Sequence, residues 1–165
     1  MAKSSNSNER VGWELIWRGG DIPPRYRSFA APNATVVEWA DGVPSNGFVL
    51  DVGCGVGRHL VYLGERGFRV AGVDISPSAI QLSKDVCAER NIEFQGQVSD
   101  MNRLPWDDHT FDGALSISTI HHHRRSAIVE SLNEVRRVLK PGGLFLVDFP
   151  STDSSEYQYL RAQVE

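Results

Sequence analysis

Three groups of residues in this sequence have the type and spacing to do chemistry. The first is a glycine loop, Asp51–Val52–Gly53–Cys54–Gly55–Val56–Gly57, with a second aspartate at position 74. Glycines let backbone approach a ligand closely, and a helix beginning behind them offers unpaired N–H groups. The second group is the run His121–His122–His123, in which imidazole could accept a proton or bind a metal. The third is the pair Cys54 and Cys87.

Each group has a plainer reading beside the chemical one. Glycine-rich turns also occur for packing alone, but here a strand precedes the loop and a helix follows it. Dinucleotide binding is the stronger competitor. Its fingerprint is G-x-G-x-x-G, whereas these glycines fall at 53, 55 and 57, with Arg58 where the third would stand, and that spacing disfavours a pyrophosphate. Three consecutive histidines cannot all face one ion, and no carboxylate or cysteine cluster at ligand spacing accompanies them, so no metal is expected. His121 or His122 reads as a wall of an acceptor pocket, as a proton acceptor, or as a loop-packing residue. Two cysteines make no disulfide framework, and packing residues or free thiols are expected.

The elements that must position these groups follow from the apolar pattern. Short β-rich runs at Phe48–Val52, Arg69–Asp74, Glu93–Val98, Phe111–Ser118 and Leu144–Phe149 alternate with amphipathic segments, which predicts five strands of a parallel sheet with helical crossovers. The loop at 53–57 opens a helix through Leu60 and Leu63. Ser76 caps another, with Pro77 at its first position and Ile80, Leu82, Val86 and Cys87 on its buried stripe. Ile128, Leu132, Val135 and Leu139 repeat at helical spacing, and Pro141–Gly142–Gly143 is expected to stop that helix. Before the sheet, Trp13, Leu15, Ile16 and Trp17 form an apolar cluster closed by Gly19 and Gly20, and a helix covers Thr35 to Ala40. Residues 1–10 show no apolar periodicity and are expected to be a flexible tail.

Composition narrows the class. The 165 residues suit one domain, with 41% hydrophobic and 23% charged residues. No apolar run approaches the roughly 20 residues of a membrane span, and the polar start has no signal-peptide centre, so the default expectation is a cytoplasmic protein. Net charge is −4, which speaks against a nucleic-acid partner unless a local patch supplies it. Arg124, Arg125, Arg136, Arg137 and Lys140 come nearest to one, and a solvated helix face is their plainer reading.

The segment from Gly53 to Gly57, with Asp51 before it, resembles motif I of class I S-adenosylmethionine (SAM)-dependent methyltransferases. Further residues extend the likeness over about Phe48 to Phe149: Asp74 at the end of the second strand, Asp100–Met101 after the third, Leu104–Pro105–Trp106 with Phe111–Asp112, His121–His122 after the fourth, and Glu134 to Gly143 before the fifth. The resemblance, to a methyltransferase type 11-like domain, implies a three-layer α/β sandwich with a Rossmann-like parallel sheet in the order 3-2-1-4-5. Cover helices would occupy residues 11–42, the core 48–150 and a short C-terminal segment 151–165.

It also implies a cofactor, SAM, and a product, S-adenosylhomocysteine. Asp51 or a nearby carbonyl would meet the methionine amino group, with Gly53, Cys54, Gly55 and Gly57 admitting that part of the cofactor. Asp74 would hold the ribose, with Ile75 beside it. Asp100 would take the adenine amino group and the Met101 backbone an adenine ring nitrogen, while Ser116 and Ile117 would flank the sulfonium. Trp13, Trp17, Tyr26 and Phe29 would form a lid or belong to the core, and Asp148 would face the acceptor or solvent. Ser116–Ile117–Ser118–Thr119–Ile120 stands where amino-group methylases carry Asn/Asp-Pro-Pro-aromatic, and neither cysteine follows a proline as in cytosine C5 methylases, so neither chemistry is expected.

The reading is therefore direct methyl transfer to an unidentified small-molecule acceptor. Catalytic residues are open, with His121 and His122 as candidates. The alternatives are a non-catalytic or truncated SAM-binding module, a tRNA-modifying methyltransferase of the wobble-uridine kind, and a nicotinamide oxidoreductase. The family's last two strands, an antiparallel pair, are expected to be absent, which would leave the fifth strand as an apolar edge open to homo-oligomer formation.

Overall fold

The structure is a computed structural model and describes residues 6–18, 32–151 and 153, with 6–9 in backbone only. Five parallel strands form one sheet: β1 (Phe48–Val52), β2 (Arg69–Asp74), β3 (Phe94–Val98), β4 (Phe111–Ser116) and β5 (Leu139–Val147). Their order is β3-β2-β1-β4-β5. Helices α1 (Asn6–Arg18), α2 (Ala34–Ala40), α3 (Arg58–Glu65), α4 (Pro77–Glu89) and α5 (Arg125–Val138) are joined by a short 3-10 turn at Ile120–His122.

β1 is buried along its whole length, as a central strand covered on both faces must be. Its side chains alternate between two cores. Val49 packs with Leu60 and Leu63 of α3, Ile80 and Cys87 of α4, and Val36 and Ala40 of α2. Leu50 and Val52 pack on the other face with Met101, Leu104 and with Val135 and Val138 of α5. The expected three-layer sandwich and strand order are both present. Since ligands of open α/β sheets sit beyond the carboxyl ends of the strands where the order reverses, the crevice of interest lies between the ends of β1 and β4.

Helices α1 and α5 and strands β4 and β5 differ from expectation. Helix α1 starts at Asn6, so residues 6–10 are helix and not tail: the polar residues there extend a helix whose apolar side, carried by Trp13, Ile16 and Trp17, is packed against the domain. Residues 1–5 lie outside the described residues, as do Gly19, Gly20, Tyr26 and Phe29. Helix α5 ends at Val138, before Pro141, and β5 begins at Leu139. Leu139 pairs with Phe111, the ladder then breaks, and it resumes at Leu144 opposite Gly113. The Pro–Gly–Gly segment is a bulge in an edge strand, where a residue without N–H is tolerated, and Gly142 takes φ 82° there. Finally, β4 stops at Ser116, because Ser118 adopts φ 55° and turns the chain toward the crevice. No helix among the described residues is long and apolar enough to cross a membrane.

Candidate functional site

The glycine loop leaves β1 under tight backbone control. The Gly53 and Cys54 N–H groups both donate to the Val73 carbonyl of β2, at 2.7 and 3.0 Å, and the Gly57 N–H donates to Cys54 O. Gly53, Gly55 and Gly57 all have positive φ, of 77°, 53° and 82°. A side chain at Gly53 would collide with Thr119, whose hydroxyl donates to the Gly53 carbonyl at 3.3 Å. At Gly55 a side chain would meet the Trp17 ring at 3.2 Å. Gly57 abuts Ser83 of α4, and the Ser83 hydroxyl donates to Gly55 O at 2.8 Å. The loop therefore needs glycine for conformation and for space together.

Asp74 at the end of β2 is buried and receives two backbone N–H groups, from Gly55 at 3.0 Å and Ser76 at 2.9 Å. Burial pushes its carboxyl up to about 6 despite those bonds. Asp51, on the same face of the sheet, is pushed up to about 7, by burial first and by neighbouring Asp74 second, with Arg58 pulling the other way. His59 on α3 approaches Asp51 at 3.9 Å; burial holds its imidazole down at about 4, so it is neutral, and its Nε2 has no hydrogen-bond partner among the described residues. Two buried carboxylates beside one another with a single offsetting arginine make a site that would be eased by a cation.

Cys54 is buried and free, with its thiol raised by burial, which makes it a packing group and not a nucleophile. Cys87 is likewise buried and free. Asp100 and Met101 sit in a turn after β3, where Arg103 N donates to Asp100 O and Asn102 N to Asp100 Oδ1; Met101 is buried and Ile75 half-buried. Ser116 is buried with its hydroxyl donating to Val52 O, so it ties β4 to β1, while Ile117 next to it lines the strand end. Asp148 does not stand free in solvent: it accepts the Ser118 N–H at 2.6 Å and holds the turn after β4.

The opposite wall of the crevice comes from α1 and the 3-10 turn. Trp13 meets the His122 ring edge-on at 5.1 Å, and His121 lies 4.3 Å from His122. Trp17 packs with Val56 and Ala79 above the glycine loop. Glu14 closes the other end. Its carboxylate accepts from the Ser76 hydroxyl at 2.6 Å, the Ser78 hydroxyl at 2.7 Å and the Ser78 N–H at 3.1 Å, bonds that hold it below the usual carboxylate range.

Sequence reasoning singled out neither Glu14, His59, Ser83 nor Thr119. No local signal marked Glu14: the Ser76 N–H that a capping-box carboxylate would accept goes to Asp74, and Glu14 meets Ser76 and Ser78 only because α1 packs against the start of α4. The basic run of the sequence dissolves in part into ion pairs, with Arg137 bound to Glu134 and Asp108, and Lys140 to Asp112. No group of three histidine, cysteine or acidic side chains placed to hold a metal occurs among the described residues.

The residues present fit the cofactor that the resemblance implies. A strand-end carboxylate at Asp74 and a cation-seeking Asp51, beside a glycine turn at the end of β1, match a nucleoside carrying ribose hydroxyls and an amino group.

Comparisons with known proteins bear on the same region. The sequence model of a family described as a methyltransferase domain matches residues 49–143. The chain is 35% identical over 119 residues to tRNA (carboxymethyluridine(34)-5-O)-methyltransferase of Mus musculus, covering 71% of this chain and 17% of that protein. It is 32% identical to 2-heptyl-1-hydroxyquinolin-4(1H)-one methyltransferase of Mycobacteroides abscessus, covering 73% of this chain and 53% of that one. Among solved structures, one from work on conversion of a disulfide bond into a thioacetal group in echinomycin biosynthesis superposes with a TM-score of 0.79 at 24% identity, over 94% of this chain and 66% of the other. The chain thus spans about half or less of the length of these curated relatives.

Proposed function

This chain belongs to the class I SAM-dependent methyltransferase family, and on that premise we propose that it transfers a methyl group from SAM to a small-molecule acceptor. The observation that carries the proposal is the pair of buried carboxylates, Asp51 and Asp74, on either side of a glycine loop with no room for side chains. When bound, SAM supplies a methyl group already activated on a sulfonium, so the work left to the chain is placement.

Asp74 holds the ribose hydroxyls with the lone pairs that Gly55 N–H and Ser76 N–H leave free. Asp51 faces the amino group, and the Asp100–Met101 turn reads adenine. Ile117, Thr119 and the Trp13–His122 pair border the end of the crevice where an acceptor would enter, and they exclude water from it. An acceptor held there would present its lone pair in line with the methyl carbon, and breaking of the carbon–sulfur bond with its electrons left on sulfur would be the chemistry that SAM supplies. Orientation of this kind is worth effective molarities of order 10⁵ M or more. His121 or His122 would take a proton from an acceptor that needs to lose one.

A tRNA acceptor is the second reading. It is favoured by the similarity to the mouse tRNA methyltransferase and by the exposed Arg124 and Arg125 directly after the histidines. It is opposed by the pairing of Arg137 and Lys140 with acids.

Titration calorimetry with S-adenosylhomocysteine, beside an Asp74→Ala variant, tests the cofactor half. Binding weakened about a hundredfold or more by the variant is expected, since a buried acid bonded to a ligand hydroxyl is worth about 3 kcal/mol. Undiminished binding removes Asp74 from the site. Transfer of labelled methyl to heteroaromatic small molecules, with tRNA carrying carboxymethyluridine at position 34 in parallel, then separates the two acceptors, and binding without any transfer would favour a SAM-binding module.

A further inference from the structure

Residues 99–110, between β3 and β4, form no helix or strand, yet Met101 and Leu104 within them are buried. A buried segment without a ladder must find partners for its backbone polar groups elsewhere. Leu104 finds both on α5. Its N–H donates to Glu134 Oε2 at 2.8 Å, and its carbonyl accepts from Arg137 Nη2 at 2.9 Å. Arg137 goes further: Nε donates to Glu134 Oε1 and Nη2 to Glu134 Oε2, both at 2.8 Å, while Nη1 donates to Trp106 O at 2.8 Å and to Asp108 at 2.9 Å. All three guanidinium nitrogens are engaged, in the fork geometry that arginine provides and lysine does not. The turn containing Asp100 ends at Arg103, whose N–H donates to Asp100 O, so the clamp grips the residue directly after it.

We propose that Glu134 and Arg137 are positioning residues for adenine recognition, holding the Asp100–Met101 turn in shape by clamping both backbone groups of Leu104. The proposal rests on the reading that this turn meets adenine. Neither side chain touches the cofactor; they act through the loop. Adenine offers an amino donor to Asp100 and a ring-nitrogen acceptor to the Met101 N–H, whereas hypoxanthine presents an oxygen and an N–H at those positions. A turn held rigid rejects the swapped pattern, because the carboxylate is left facing an oxygen and the Met101 N–H another N–H. A turn released from the clamp shifts to accommodate either base.

The test compares affinity for S-adenosylhomocysteine with that for S-inosylhomocysteine by calorimetry, in the parent chain and in Arg137→Lys, Glu134→Gln and Asp100→Asn, with thermal unfolding recorded for each. The parent is expected to prefer the adenine ligand about a hundredfold, and Arg137→Lys to lower that ratio to about tenfold or less while remaining folded. Should Arg137→Lys fail to fold, the near-isosteric Glu134→Gln carries the same criterion. A merely structural role weakens both ligands in parallel, and an unchanged ratio in the folded variants overturns the clamp. A parent chain without preference, or one whose preference Asp100→Asn does not lower, overturns instead the adenine assignment beneath it. The two failures are thereby told apart.

Discussion

The two ends of the crevice are built on different principles. On the β1–β2 side, backbone does the holding: Gly53 and Cys54 bond to Val73, Gly55 and Ser76 bond to Asp74, and the strand residues are buried almost throughout. On the β4–β5 side, side chains do most of the lining: Trp13, His121 and His122 meet ring to ring, the Ser118 turn hangs on Asp148, and Leu144 and Phe149 are exposed. The first arrangement can tolerate few substitutions, since each glycine is fixed by both φ and space. The second can be changed by exchanging side chains without disturbing a ladder. A cofactor common to a family and an acceptor that differs among its members would call for this division, and loops on rigid scaffolds commonly provide it.

The strongest challenge to that comparison is Gly53→Ala. A methyl group there meets Thr119 at a φ of 77°, so the loop must shift. S-adenosylhomocysteine binding beyond detection by calorimetry and a lowered unfolding midpoint are expected. Binding within about threefold of the parent would show that the backbone of this half is not held as tightly as argued.

pH gives a middle-sized effect. Asp51 at about 7 and Asp74 at about 6 are largely protonated below those values, and the protonated forms are poor partners for an amino group and for ribose hydroxyls. Affinity for S-adenosylhomocysteine is therefore expected to rise as pH passes from about 6 through about 7, by up to about tenfold per unit. The unliganded chain should behave oppositely. A carboxyl raised above its unfolded value of 3.8 stabilises the fold most below that value, and the contribution is lost as pH rises through about 7. His59, held at about 4 against an unfolded 6.5, acts in the reverse sense, with stability lost as pH falls through that window. The rise through about 7 is assigned to Asp51, the more strongly raised of the two carboxyls. Asp51→Asn should flatten the binding profile there, and an unaltered profile would assign the titration elsewhere.

The smallest effect is expected from His122→Ala. Removing the ring that Trp13 touches should leave S-adenosylhomocysteine affinity within about twofold while changing methyl transfer to any acceptor that proves active. A large loss of cofactor binding would mean that the two ends are not separable.

Much of the cofactor half was legible in the chain. The strand runs, the glycine spacing, Asp74 at a strand end and the Ser76–Pro77 helix start all rest on local pattern, and local pattern is what a sequence displays. The miss at β5 has a clear cause: Pro141–Gly142–Gly143 reads as a helix stop, whereas the pairing of Leu139 with Phe111 makes it a bulge. The start of α1 was missed because residues 6–10 carry no apolar period of their own and are helical as an extension of the packed turns after them.

What the sequence determined by itself is the strands and the place of the glycine loop, because periodicity of two or 3.6 and turn chemistry are written in consecutive residues, whereas the strand order came with the family resemblance. Tertiary structure alone decided which distant groups complete the site. Glu14 reaches Ser76 across 62 positions, Thr119 reaches Gly53 across 66, and Glu134 with Arg137 holds Leu104 from about 30 away. None of these partners has a spacing rule, since each meets its target only after two separate elements have packed on the same sheet.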